Sequence, residues 1–264
     1  MKTCILLPAY NVAATLAELL DQLLEFDYAL LVINDGSEDE TQAIVSGYVG
    51  ERVSLINHPK NCGKGKALRT GFAWALQQGF ELVVAMDSDL QHATEDLPGL
   101  LEVFHRENLD LLIGDRMHDQ SDMPAVRRLG NWFSSWGTGN FCHQHIFDAQ
   151  CGFRLFRLET CKKMLSELKL DRYVSESEML VRASMNCLRI GFTPITVIYP
   201  EDLEHKSFYR PWVDTYRIVY YFTGELLRRI FTAEGRHELR ELNQYVKSCR
   251  DWPRYYLLSG EKHP

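Results

Sequence analysis

The sequence predicts an α/β fold, a mostly parallel sheet flanked by helices and continued by a helical C-terminal extension. Two observations predict the sheet. Short apolar runs alternate with amphipathic stretches of helical length through the first 113 residues, a βαβ pattern, and the run before Asp87 is apolar on both alternate faces, as in a strand covered on both sides. A third, the long aromatic and basic stretch after Pro211, predicts the extension.

The elements follow in order. Cys4-Ile5-Leu6-Leu7 reads as a strand, and Val12 to Phe26 as a helix with Leu16, Leu19, Leu20 and Leu23 on one face. Ala29 to Ile33 is the second strand, Thr41 to Tyr48 a helix, and Val53 to Ile56 the third strand. A helix from Lys64 to Gln77 leads to the run Leu82-Val83-Val84-Ala85-Met86, then a helix from Glu95 to Arg106 and the strand Asp110 to Ile113. Beyond Gly114 the pattern loosens, with helices expected at Val126–Phe141, Leu158–Leu168 and Glu176–Cys187 and a strand at Phe192–Tyr199. Pro211 to Phe231 forms a helix with Trp212, Tyr216, Val219, Tyr220, Thr223, Leu227 and Ile230 near one face, and Arg236 to Arg254 a second, basic one. Pro200-Glu201-Asp202 breaks the chain between a main domain, 1–202, and the extension, 203–264.

With 264 residues, 45% hydrophobic and 25% charged, the chain can bury a large core. Its net charge of −7 argues against nucleic-acid binding, which needs a basic face. The charge is uneven: 203–264 holds 11 Lys/Arg against 8 Asp/Glu, and 1–202 holds 18 against 28. The tail can therefore face an anionic surface that the body would avoid. Seven cysteines without a CxxC pair, and a start without a charged, apolar and cleavable pattern, point to the reducing cytoplasm. No apolar stretch is long enough to predict a transmembrane span. Cys142, His143, His145 and Cys151 match no familiar zinc spacing.

Four loops lie at the carboxyl ends of the first four strands, where ligands of open α/β sheets gather. Asp87-Ser88-Asp89, with Gln91 two places on, offers paired carboxylates at a strand mouth, a donor set that suits Mg²⁺ or Mn²⁺ shared with substrate phosphates. Such a tripeptide also caps helices and forms turns, and its place on the rim favours the metal. Pro8-Ala9-Tyr10-Asn11 and Asn34-Asp35-Gly36-Ser37 pair an aromatic ring with an aspartate, suited to a nucleobase; the competing account makes Tyr10 a packing residue and Asp35-Gly36 a turn. In Asn61 to Lys66 the glycines allow close backbone approach, and the lysines, Lys66 among them, either face phosphates or lie in solvent at a helix start. The spacing is not that of a Walker A loop.

Together these segments resemble the family 2 glycosyltransferases of GT-A fold. The resemblance runs in the family's order through Leu6 to Asn11, Val32 to Thr41, Asn61 to Phe72, Met86 to His92, Gly114-Asp115-Arg116, Asp148 to Arg157 and Ser175 to Ala183, about 220 residues in all. Within the family the chain looks most like the dolichol-phosphate mannose synthases and bacterial polyprenyl-phosphate glycosyltransferases. The resemblance implies a nucleotide-diphospho-sugar donor, UDP- or GDP-linked, whose nucleoside contacts Pro8, Tyr10, Ile33 and Asp35. Asp87, Ser88, Asp89 and Gln91 would serve metal and diphosphate, with Asp87, Asp89 and Gln91 as ligands and Arg116 on the phosphate side. Asp148 and Arg154 would flank the acceptor-side loop, with a structural ion pair as the rival account. Lys206 and Arg210 fall where relatives carry a Ser-Lys or Ser-His element that closes over the diphosphate, though here the order is Lys206-Ser207. Val12 stands where that branch usually has an acidic residue.

The implied reaction is a single inverting displacement at the anomeric carbon, with Asp89 central to leaving-group handling. A lipid-phosphate acceptor is already anionic, whereas a hydroxyl needs a carboxylate base. Glu176 and Glu178 are the base candidates, with Asp148 as a third; two residues apart on a helix, only one of the pair can face the site, and the resemblance to the family falls on Glu178. The expected acceptor is a polyprenyl phosphate, with hydroxyl transfer and a non-catalytic nucleotide-sugar binder as alternatives. A sugar-nucleotide pyrophosphorylase would carry a Gly-rich, Arg-containing loop after the first strand, which Pro8 to Asn11 is not. The aromatic helix and the basic tail, residues 211–250, suit peripheral contact with the inner membrane face, or packing on the main domain.

Overall fold

The structure, a computed structural model, describes residues 1–118, 123, 125–172, 174–198, 211–248 and 254–257, with the side chains of 125–127 and 211–218 excepted. The chain alternates β1 (Thr3–Ala9), α1 (Ala13–Leu24), β2 (Ala29–Asn34), α2 (Thr41–Tyr48), β3 (Val53–Asn57), α3 (Lys64–Gln77) and β4 (Leu82–Ala85). A 3₁₀ turn at Thr94–Asp96 enters α4 (Leu97–Arg106), followed by β5 (Leu111–Asp115), α5 (Ala125–Cys142), β6 (Arg154–Arg157), α6 (Leu158–Glu167), α7 (Ser175–Met185) and β7 (Ile190–Pro194). Last come α8 (Pro211–Phe231), α9 (Ala233–Ser248) and β8 (Arg254–Tyr255).

The described strands form one sheet in the order β3-β2-β1-β4-β6-β5-β7-β8. Every pairing is parallel except those of β6, which runs antiparallel between β4 and β5. The order reverses at β1, which has β2 on one side and β4 on the other, so a crevice opens at the carboxyl ends of β1 and β4. Burial explains the stability of these central strands: Cys4 to Leu7 and Leu82 to Val84 are shielded on both faces. Leu16, Leu19, Leu20 and Leu23 form the buried stripe of α1, as their spacing predicts. In α3, a Cβ on Gly71 would overlap the Leu6 side chain, so glycine lets that helix lie close on the sheet.

The structure corrects four boundaries. β6 falls on residues read only as part of a motif; its two ends are arginines, which leave just Leu155 and Phe156 as an apolar signal. The expected strand Phe192–Tyr199 is displaced to Ile190–Pro194, because after Pro194 the chain leaves the sheet, where Thr196 N–H donates to Asp96 Oδ2 at 2.6 Å and Val197 bridges His92. The second C-terminal helix ends at Ser248. Arg254 and Tyr255, at or beyond its expected end, instead pair as an edge strand with Gly191 and Phe192.

The described part of the extension is tied to the main domain. Phe222 of α8 stacks on Phe141 of α5 with ring centroids 4.6 Å apart, and Arg229 donates to the Phe141 carbonyl at 2.7 Å. Tyr245 reaches the Leu188 carbonyl and Tyr255 the Asp115 carboxylate. No helix among the described residues is long and apolar enough to cross a membrane.

Candidate active site

Three cross-links lock the rim at the crevice. Ser88 Oγ donates to the Pro8 carbonyl at 3.0 Å, and the Ser88 carbonyl accepts from Thr15 Oγ1 at 2.7 Å, joining the β4 loop to β1 and α1. Asn11, at φ 51°, donates its N–H to Ser37 Oγ and accepts from Glu38 N–H, clipping the β1 loop to the β2 loop. Asp35, buried, accepts from the N–H groups of Cys62 and Gly63, the latter at 2.6 Å, and meets His58 Nδ1 at 2.7 Å. Ile33 is fully buried opposite Pro8 within the sheet, whereas Pro8 and Tyr10 remain partly open to solvent. Beside them a cleft of about 540 Å³ is lined by Asn34, Gly36, Ser37, Asn57, His58 and Asn61.

Asp35, His58 and Cys62 present ligand atoms within 4.8 Å of one another, the one such cluster among the described residues. Their geometry is that of a structural clasp. The carboxylate is filled by two backbone N–H groups and the imidazole, and His58 Nε2 faces Thr70 Oγ1 at 3.0 Å.

The glycine-rich turn behaves differently from its sequence expectation. Gly63, at φ +96°, precedes α3, and a Cβ on it or on Gly65 would strike the backbone of residues 170–171. Gly65 N–H donates to the Asp171 carbonyl at 2.9 Å. The close approach that the glycines permit is therefore made by the protein's own loop. Lys66 is exposed. Lys64, at the first position of α3, turns inward: its Nζ lies 2.5 Å from Asp87 Oδ1 and 2.8 Å from Glu176 Oε1. Burial opposes its charge, yet the two carboxylates hold the ammonium well above its usual range, and the same ion pair holds the Asp87 carboxyl far below its own. Sequence reasoning read the lysines of this turn together and singled out Lys66 rather than Lys64. The available signal was that residues two apart at a helix start point in different directions.

Asp87 and Asp89 remain partly open at the mouth of β4, Asp89 Oδ1 accepting from Gln91 N–H at 3.1 Å. Gln91 is largely buried, and its carbonyl accepts from Ile198 N–H. His92, not singled out from the sequence either, is buried with Nε2 3.7 Å from Asp87 Oδ2 and its ring against Phe153. Gly152 completes the wall: a Cβ there would run into the Asp87 carboxylate. Two carboxylates at a half-open mouth, offering only oxygen, fit a hard divalent cation that takes its other ligands from a diphosphate.

The base candidates are all engaged. Asp148, with no exposure, accepts a bidentate pair from Arg116, Nε to Oδ2 at 2.8 Å and Nη2 to Oδ1 at 3.0 Å. Burial works against its charge, but the guanidinium holds the carboxyl below its usual range. Arg154, buried, donates to the carbonyls of Cys151, Glu176 and Ala149 and so braces the loop that carries Gly152. The structure turns Glu176 rather than Glu178 toward Asp87. Glu178 accepts from the N–H groups of Lys169 and Leu170, and burial raises its carboxyl. Lys206 and Arg210 lie outside the described residues.

Comparison with known proteins makes this chain a glycosyltransferase, and its fold is of the GT-A kind. The profile of Glycosyl transferase family 2 matches residues 4–165, and the chain belongs to that family. An uncharacterized protein of Methanocaldococcus jannaschii is 33% identical over 201 residues, covering 75% of this chain and 82% of its own. An undecaprenyl-phosphate mannosyltransferase of Micrococcus luteus is 30% identical over 78% of this chain and 87% of its own. A UDP-N-acetylglucosamine–dolichyl-phosphate N-acetylglucosaminyltransferase of Methanococcus voltae is 28% identical over 75% and 86%. Among solved structures, mannosyl-3-phosphoglycerate synthase from Rubrobacter xylanophilus superposes with a TM-score of 0.57 at 15% identity, over 89% of this chain and 75% of that one. S. aureus TarS 1–349 gives 0.56 at 20% identity, over 96% and 73%. At these identities the structural likeness concerns the fold.

Proposed function

We propose that the protein transfers a sugar from a UDP- or GDP-sugar to a polyprenyl phosphate. The observation that carries this reading is that no nominated carboxylate is free to act as a base: Asp148 is locked to Arg116, Glu176 to Lys64, and Glu178 to two backbone N–H groups. A hydroxyl acceptor would need such a base, whereas a phosphate is anionic at neutral pH. The lipid phosphates in the names of the M. luteus and M. voltae relatives support the same acceptor class.

In this reading an acceptor phosphate oxygen attacks the anomeric carbon, the bond from that carbon to the donor diphosphate breaks with inversion, and the nucleoside diphosphate leaves. Asp87 and Asp89, with Gln91 beside them, would hold Mg²⁺ or Mn²⁺, which when bound supplies positive charge against the diphosphate. Tyr10 and the Asp35 clasp shape the nucleoside side. Arg116 and Asp148 keep the acceptor-side loop in place beneath Asp87, and Lys64 adds a cation next to the leaving group.

A lipid acceptor and a nucleotide-sugar donor would together put the enzyme on a membrane surface, in this reading its cytoplasmic face. Two described surfaces support contact there. In the 211–250 region, Val219, Tyr220, Leu227 and Ile230 are each about half exposed or more. On α5, Leu129, Trp132, Phe133 and Trp136 form an outward stripe at helical spacing, with 67%, 56%, 51% and 57% exposure. That helix carries two arginines and no carboxylate, suited to anionic lipid, and its inner face holds the acceptor-side loop through Ser134 and Ser135.

Incubation with a panel of nucleotide sugars, Mg²⁺ or Mn²⁺, and polyprenyl phosphate tests the reading. Transfer by the wild type, lost in Asp89→Ala while nucleotide still binds, is the expected outcome. Nucleotide binding with no turnover on any donor would make the protein a binder instead.

A further inference from the structure

The ammonium of Lys64 stands between carboxylates from two different elements, 2.5 Å from Asp87 Oδ1 on the β4 loop and 2.8 Å from Glu176 Oε1 on α7. Glu176 is almost fully buried, while the Lys64 and Asp87 side chains keep 21% and 24% exposure. The backbone that carries Lys64 is fixed, since Gly63 and Gly65 are pressed against residues 170–171. Only the flexible four-carbon stem can move. One cation therefore already occupies the carboxylate that the proposed function assigns to the divalent ion.

We propose that Lys64 is the resident counter-ion of Asp87 and must let go of it before a divalent cation binds, so that cation and donor diphosphate enter the site together. The inference rests on the metal role given to Asp87 above. While Lys64 is in place, Asp87 Oδ1 is spent, and a divalent ion beside it would meet an ammonium within a few ångströms. Like charges that close repel strongly in a partly dry site. The donor diphosphate removes the conflict by giving the ammonium a new anionic partner as it leaves Asp87. Glu176 keeps hold of Lys64 meanwhile, so the charge stays beside the leaving group. Lys64 acts here as a positioning residue whose effect is read in metal affinity.

The test is a Mn²⁺ titration of the full chain, following free Mn²⁺ by electron paramagnetic resonance, with and without UDP or GDP. Wild type should bind Mn²⁺ weakly alone and at least about tenfold more tightly with nucleotide. Lys64→Met should bind it at least about tenfold more tightly than wild type without nucleotide, and should gain less from adding it. Glu176→Gln leaves the ammonium in place with Asp87 as its one carboxylate partner, so its nucleotide-free Mn²⁺ affinity should fall below that of wild type. Lys64→Met binding no tighter than wild type, with nucleotide-stimulated binding intact in wild type, would overturn the inference and leave the metal reading standing. Mn²⁺ binding to none of these proteins, nucleotide present, would overturn the metal reading and this inference with it.

Discussion

Replacing Asp148 with Asn separates a catalytic base from a structural lock. The carboxylate is fully buried and takes two hydrogen bonds from the guanidinium of Arg116, whose side chain is itself only 13% exposed. Asp148→Asn keeps the shape but leaves a guanidinium without its counter-ion. Breaking a buried pair from one side costs about 3–5 kcal/mol. At roughly 2–4 °C per kcal/mol for a chain of this size, the melting temperature should fall by about 6–20 °C. Arg116→Met/Asp148→Asn removes both charges and should recover part of that loss; with the Arg116→Met single it closes a double-mutant cycle whose coupling energy should be at least about 2 kcal/mol. Thermal and denaturant unfolding of the four proteins supply the numbers. An Asp148→Asn protein within about 1 kcal/mol of wild type, with activity reduced at least about 100-fold and an altered pH–rate profile, would refute the lock and restore Asp148 as the base.

Three further outcomes follow from the geometry. Gly152→Ala must push the Asp87 carboxylate aside, so transfer should drop about 100-fold while the melting temperature stays within a few degrees; unchanged kcat/KM would contradict the contact. Burial, with the nearby Asp148 charge, pushes the Asp115 carboxyl up from 3.8 to about 6. Its protonated form is thus favoured by folding, so the stability it contributes is present below about pH 4 and lost as pH rises to about 6, by roughly 3 kcal/mol. Asp115→Asn should remove that loss, seen as a wild-type-minus-variant stability difference that changes across pH 4–7; a flat difference would contradict it. Trp132→Ser/Trp136→Ser removes two exposed indoles, each worth about 2 kcal/mol if some 80 Å² enters lipid, and should weaken flotation with anionic vesicles at least tenfold. Equal flotation would set the α5 surface aside.

Much of the fold was legible because burial follows period. α2 and α8 run as their spacing predicts, and α3 begins at Lys64 because Gly63 alone tolerates the backbone there. β6 and β8 were not legible: β6 has arginines at both ends and only two apolar residues between them, β8 is two residues long, and both are held by pairing with the sheet. The rim loops could be placed from the strands they follow, yet the direction of each side chain could not. Helix phase decided that Glu176, not Glu178, meets the crevice, and that Lys64, not Lys66, reaches Asp87. Arg116 and Asp148 are 32 residues apart, so their pairing belongs to the tertiary structure alone. The same holds for Asp35, which closes on the turn at Cys62 and Gly63 rather than standing open.

The central claim is that the acceptor is a phosphate and needs no base. One competition assay tests it directly: vesicles holding equal amounts of a polyprenyl phosphate and the matching polyprenol, incubated with enzyme, divalent cation and donor sugar, and followed by ³¹P NMR. Conversion of the lipid phosphomonoester signal to a phosphodiester, with the alcohol left unmodified, is the predicted result. Glycosylated alcohol beside an unchanged phosphomonoester signal would contradict the account.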